Sequence, residues 1–212
     1  MSGMPRYCQT AAPAAKFLVK AYGGPPSVGV SRGGEAPYAP PVLFFIMRHG
    51  PAEDDSPTGR DADRALTASG RERVEAVARS LAAEGELPAR ILTSSLVRAV
   101  QTADIVASAA RGEGWQGTPE VVGELIPGGD VVSLIHRLAE TGEGPIMLVG
   151  HEPTLSCSVA DLLGEPSPLA MKKAMVVALK LGHQGRARLR FILDPKTLAY
   201  QYDDRRGHGH RD

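Results

Sequence analysis

The stretch Phe44-Phe45-Ile46-Met47-Arg48-His49-Gly50-Pro51 decides how the rest of the chain reads. The apolar run Val42 to Met47 shows no polar alternation, which is the pattern of a strand covered on both faces in a parallel sheet. It ends in a cation, an imidazole and a Gly-Pro turn. A buried strand that ends this way carries those groups to the carboxyl edge of the sheet, where open α/β sheets bind their ligands.

Moving outward from this strand, β and α patterns alternate. Thr67 supplies an N-cap, and Val74, Val77, Ala78 and Leu81 form a helical stripe that ends near Gly85. Arg90 to Thr93 reads as a short strand, Leu96 to Ala110 as a helix with Val100, Ala103 and Ala107 on one side, and Glu120 to Val122 as another brief strand. Asp130 caps a helix through Val131, Leu134, Ile135 and Leu138. Pro145 to Val149 is a second fully apolar strand, and Pro153 opens a helix at its first position. Met175 to Leu181 and Ala187 to Leu193 are β-rich runs joined by Gly182-His183-Gln184-Gly185, a closing hairpin. This order predicts an α/β fold: a three-layer α/β/α sandwich with a mostly parallel central sheet and a C-terminal antiparallel hairpin.

The chain has 212 residues, which suits one domain of ordinary size. Residues 1–40 are rich in Gly, Pro and Ala and lack apolar periodicity, so they read as a disordered tail. The folded unit spans residues 41–200, and 201–212 read as a polar flexible tail. With 24 basic and 24 acidic residues the net charge is zero, which argues against nucleic acid or an acidic membrane surface as a partner. No apolar run approaches the roughly 18 residues of a membrane span, and Lys16 and Lys20 interrupt the one region that resembles a leader. Cys8 and Cys157 do not have the spacing of a disulfide scaffold or a paired zinc motif, so a cytoplasmic protein is expected. His136 and His183 read as structural or solvated, His208 and His210 as part of a solvated tail, and Cys157 as a small core residue. No cofactor and no metal site is expected.

The chemistry gathers at three strand exits: Arg48-His49-Gly50, the segment Ser94 to Arg98, and Gly150-His151-Glu152-Pro153. Parallel strands place their carboxyl ends side by side, so two arginines and two histidines can converge from distant segments into a pocket for a dianion. Arginine offers a planar fork of donors to phosphate oxygens, and a unit charge pair about 4 Å apart is worth about 4 kcal/mol at an effective dielectric of roughly 20. A neutral imidazole is a competent nucleophile toward phosphorus, and a second imidazole, protonated beside the phosphate, would hold its equatorial oxygens. Arg98 in the first turn of its helix opposes the helix dipole, which a bound anion would explain.

Arg48-His49-Gly50, the Ser94-x-x-x-Arg98-Ala99-x-Gln101-Thr102-Ala103 segment and Gly150-His151-Glu152-Pro153 resemble the histidine phosphatase, or phosphoglycerate-mutase-like, superfamily. The Gly128-Gly129-Asp130 turn and Met171-Lys172-Lys173 are most similar to its SixA-type phosphohistidine phosphatase branch. The resemblance implies that His49 is the phosphorylated nucleophile and that Arg48, Arg98 and His151 bind the phosphate. It also implies an acid for the leaving group, for which Glu124 is the candidate and Asp130 the reserve. Ser95 departs from the proline that commonly follows the serine in the family. The substrate expected from the resemblance is a phosphohistidine-bearing signalling protein. The rival readings are a phosphatase of small phosphomonoesters such as sugar phosphates or nucleotides, and a phosphate-binding adaptor without turnover.

Overall fold

The computed structural model describes residues 41–182, 185 and 187–203. The expected N-terminal tail, His183, and residues 204–212 with His208 and His210 lie outside them. The strands are β1 (Val42–Arg48), β2 (Arg90–Thr93), β3 (Glu120–Val121), β4 (Ile146–Gly150), β5 (Val176–Leu181), β6 (Ala187–Leu193) and β7 (Tyr200–Tyr202). The helices are α1 (Ala68–Ala83), α2 (Val97–Gly112), α3 (Val131–Glu140) and α4 (Thr154–Leu163). The strands form one sheet of order β3-β2-β4-β1-β5-β6-β7. Its core β3-β2-β4-β1 is parallel, and β5 to β7 run antiparallel.

The two faces of β1 explain the unbroken apolar run. Phe45 and Met47 pack with Val74, Val77 and Leu81 of α1 and Ala99, Ala103 and Val106 of α2. Val42, Phe44 and Ile46 pack with Leu134 and Ile135 of α3 and Leu155 and Val159 of α4. Helices therefore cover both faces, giving the three-layer sandwich the alternation implied. Burying each of the large side chains on β1 contributes about 2 kcal/mol, so this central strand anchors the scaffold.

Both expected caps are present. Thr67 Oγ1 accepts from the Gly70 N–H at 2.9 Å, and Asp130 Oδ1 accepts from the Ser133 N–H at 3.0 Å. Pro153 stands one residue earlier than expected, as the N-cap of α4. Cys157 is half-buried and disulfide-bonded, not the small core residue expected. The C-terminal hairpin continues into a third strand, so the sheet runs past residue 200, where the folded unit was expected to end. Tyr200 and Tyr202 stack edge-on against Phe191, with ring centroids 5.0 and 6.1 Å apart, which turns a polar-looking segment into an edge strand. Among the described residues, no helix is long and apolar enough to cross a membrane.

The parallel register aligns the strand exits. Arg48 lies opposite Gly150, and Thr93 opposite Val149. Just past these pairs the His49 N–H donates to Gly150 O at 3.1 Å, and the Ser94 N–H donates to Val149 O at 3.2 Å. The turn after His49 tolerates only glycine without rearrangement, because a Cβ on Gly50 would sit 2.6 Å from Val74 Cγ2.

Candidate active site

His49 and His151 leave adjacent parallel strands, and their rings meet with centroids 5.0 Å apart. Both are buried. His49 Nδ1–H donates to Gly50 O at 2.7 Å, which fixes the tautomer and leaves the lone pair on Nε2. A 2.6 Å hydrogen bond joins Ser94 Oγ to His151 Nε2, and the same Oγ accepts from the Leu96 N–H at 3.4 Å. With the serine hydroxyl donating to Nε2, the proton of the neutral His151 ring sits on Nδ1.

Arg48 and Arg98 complete the group. Arg48 Nη1 donates to Met171 O at 2.7 Å, tying the arginine to the turn that precedes β5. Arg98, only 5% exposed, donates from Nη1 to Asp61 O at 2.8 Å and from Nη2 to Asp61 Oδ2 at 3.0 Å. The remaining motif residues hold the scaffold. Gln101 Oε1 accepts from the Leu66 N–H at 2.8 Å, and Thr102 Oγ1 accepts from the Gly50 N–H at 3.1 Å while donating to Arg98 O at 2.7 Å. The letters after Arg98 thus bind the two loops that carry the arginine and the histidine.

Among the described residues, the buried side-chain polar atoms without a partner are Arg48 Nε, Arg98 Nε, His151 Nδ1 and Glu152 Oε1. All four belong to these strand exits. Buried polar groups are almost always paired, and each orphan costs roughly 1–3 kcal/mol. Three of these atoms are donors, and an anion seated among them would offset that cost.

Burial and neighbouring cations keep both imidazoles neutral near pH 7. Burial first, then Arg98 and Arg48, and finally Lys173, push the His49 pKa down to about 4 against the bond to Gly50 O. Burial, then His49 and Arg98, push His151 down to about 3. The unfolded chain takes up these protons near pH 6.5 while the folded chain resists them, so stability rises with pH through this window. Acidification from pH 6.5 to about 4 is expected to cost about 3 kcal/mol through His49 alone, read as a fall in melting temperature. Saturating inorganic phosphate, whose charge favours the protonated rings, should shrink that fall.

Glu124 and Asp130 stand differently. Glu124 lies in a 3-10 turn (Gly123–Leu125) with its carboxylate paired to Arg137. Bonds to its own backbone N–H and to Arg137 hold its pKa below the ordinary value. Asp130 is committed to capping α3, and its bond to Ser133 likewise lowers its pKa. Both carboxyls are thus held below their ordinary range. Asp61 escaped the sequence reading because it sits 37 residues from Arg98 in a short 3-10 turn (Asp61–Asp63) with no motif of its own.

The family model of the histidine phosphatase superfamily (branch 1) matches residues 44–120. An uncharacterised protein of Picosynechococcus is 35% identical over 144 residues, which are 66% of this chain and 85% of that one. Phosphohistidine phosphatase SixA of Escherichia coli is 27% identical over 160 residues, 74% of this chain and 96% of its own. A solved structure of the protein histidine phosphatase SixA complexed with tungstate superposes with a TM-score of 0.68 at 27% identity, covering 74% of this chain and 99% of that one. The chain belongs to the histidine phosphatase superfamily, in its SixA-type branch. Membership indicates a phosphatase.

Proposed function

We propose that the protein is a cytoplasmic, metal-independent phosphatase that takes the phosphoryl group from phosphohistidine on a signalling protein and carries it transiently on His49. The observation that carries this reading is the set of orphaned donors on Arg48, Arg98 and His151 beside a neutral, tautomerically fixed His49. The tungstate in the SixA structure supports it, because tungstate is a tetrahedral oxyanion like phosphate.

In the first step the Nε2 lone pair of His49 forms a bond to phosphorus, and the bond from phosphorus to the substrate's leaving atom breaks with its electron pair going to that atom. Arg48 and Arg98 hold the equatorial oxygens. His151 donates to the dianion from its otherwise unpartnered Nδ1–H. Water attacks in the second step: its oxygen bonds to phosphorus, the P–Nε2 pair returns to His49, and the water's protons pass to the product phosphate and to solvent.

The leaving group discriminates between substrates. An alkoxide must be protonated as it departs, whereas the imidazole of a phosphohistidine protonated on its other ring nitrogen leaves as a neutral base. Since Arg137 holds Glu124 ionised, the site suits the second case. The name of the Escherichia coli relative points the same way. On this reading the reaction does not require Glu124 or Asp130 as a general acid.

The test compares kcat/KM on a phosphohistidine-bearing phosphotransfer domain with values on sugar phosphates and nucleotides, with and without a chelator. At least a tenfold preference for the protein substrate, unchanged by chelation, is expected; a clear preference for the small esters would make the protein a phosphomonoesterase.

A further inference from the structure

Counting formal charge at the site shows how little of it is free. The Asp61 carboxylate is shared between two guanidinium groups, Arg98 on one oxygen at 3.0 Å and Arg64 on the other at 2.8 Å. Arg48 feels the Glu152 carboxylate as its main opposing charge. Both imidazoles are neutral near pH 7. Arg48 and Arg98 are thus nearly cancelled by Asp61 and Glu152, and the further cation Arg64 is tied to Asp61 and Glu53 O, so the strand exits present good donors but little free positive charge, although their ligand is a dianion.

The turn from Met171 to Met175 supplies what is missing. It is bonded directly to the backbone of the site: the Ala174 N–H is shared between Arg48 O and His49 O at 3.1 Å each, and the Arg48 N–H donates to Met175 O at 3.2 Å. Arg48 also donates to Met171 O. Ala174 is fully buried at φ 69°, an uncommon backbone conformation for a residue with a side chain, and these bonds hold it there.

The two lysines of this turn have different fates. Lys172 is paired with Asp194, whose other oxygen accepts from the Lys196 and Thr197 N–H groups. Lys173 is exposed, and among the described residues its side chain makes no ion pair or hydrogen bond. Its backbone lies one residue from the N–H that bridges Arg48 and His49.

We infer that Lys173 is a further substrate-binding residue: its unmatched ammonium at the lip of the site supplies the free charge that draws in the phosphoryl dianion and holds one of its outward oxygens. This rests on the phosphatase reading above and adds a residue to its binding set. An exposed cation beside a donor cluster with little free charge acts at a distance, so its effect falls with ionic strength, whereas the buried guanidinium contacts are screened much less.

The experiment measures inorganic phosphate binding to the full chain by calorimetry, for the wild type, Lys173→Gln and Lys173→Arg, at low and at high salt. Lys173→Gln is expected to weaken binding about tenfold at low salt and about twofold at high salt, with Lys173→Arg close to the wild type. Phosphate affinity of Lys173→Gln within twofold of the wild type at low salt, or a loss that ignores salt, would overturn the inference while leaving the phosphatase reading intact. A wild-type chain that binds no phosphate would overturn both. Because Lys173 is exposed and makes no side-chain bond among the described residues, the melting temperatures of the variants should match, so a change in affinity reports the charge itself.

Discussion

Replacing His49 with alanine is expected to abolish turnover and covalent labelling together, with kcat falling roughly ten-thousandfold or more while phosphate binding survives. A nucleophile is not partially replaceable: without its lone pair on Nε2 the two-step route closes, and only the donors that stabilise the phosphoryl group remain. Those donors belong to Arg48, Arg98 and His151, none of which depends on His49 for its hydrogen bonds. The variant should fold, and it should lose less stability than the wild type on acidification, because one of the two proton-resisting imidazoles is gone. The measurement is incubation with a radiolabelled phosphodonor, followed by acid, which strips phosphohistidine but not phosphoserine. If the wild type binds phosphate yet never takes up label, the adaptor reading replaces the enzyme. If His49→Ala keeps its label, the nucleophile lies elsewhere.

Replacing Arg98 with lysine is expected to lower kcat/KM about a hundredfold, and replacing it with alanine about a thousandfold. The order follows from Asp61. Lysine keeps the charge but gives up the planar fork, so it cannot bond Asp61 O and Asp61 Oδ2 and still offer a flat edge to phosphate. Alanine does worse, since it removes the buried guanidinium altogether and leaves Asp61 Oδ2 unpaired beside the site, with Arg64 holding only its other oxygen at 2.8 Å. Asp61 occupies the Nη1 and Nη2 end of Arg98 and leaves Nε–H unpaired, so its role is to orient the side of the guanidinium toward the ligand. Steady-state kinetics on p-nitrophenyl phosphate, with melting temperatures to show that each variant is folded, would check this. Folded variants within threefold of wild-type kcat/KM would show that Arg98 is an ordinary buried ion pair.

Much of the scaffold was legible because its signals are local. The apolar run of β1, the Thr67 and Asp130 caps and the stripe through Val74 and Leu81 each depend on neighbours a few residues away, and each stands where expected. The third C-terminal strand was not legible. Tyr200-Gln201-Tyr202 is short and polar in its setting, and it becomes a strand because it pairs with β6, where Phe191 offers its tyrosines a surface.

The same division runs through the site. Sequence alone determined which groups arrive at the strand exits, because a parallel sheet brings the carboxyl ends of its strands to one edge whatever the loops do. Arg48, His49, Arg98 and His151 could therefore be named before any coordinates. Only the tertiary structure decided which charges remain available once they arrive. Asp61 matches Arg98, Asp194 occupies Lys172 and Arg137 keeps Glu124 ionised. Pairings of this kind depend on angstrom-scale approach between side chains far apart in the chain, and electrostatic energy varies steeply over that distance, so no spacing in the sequence encodes them.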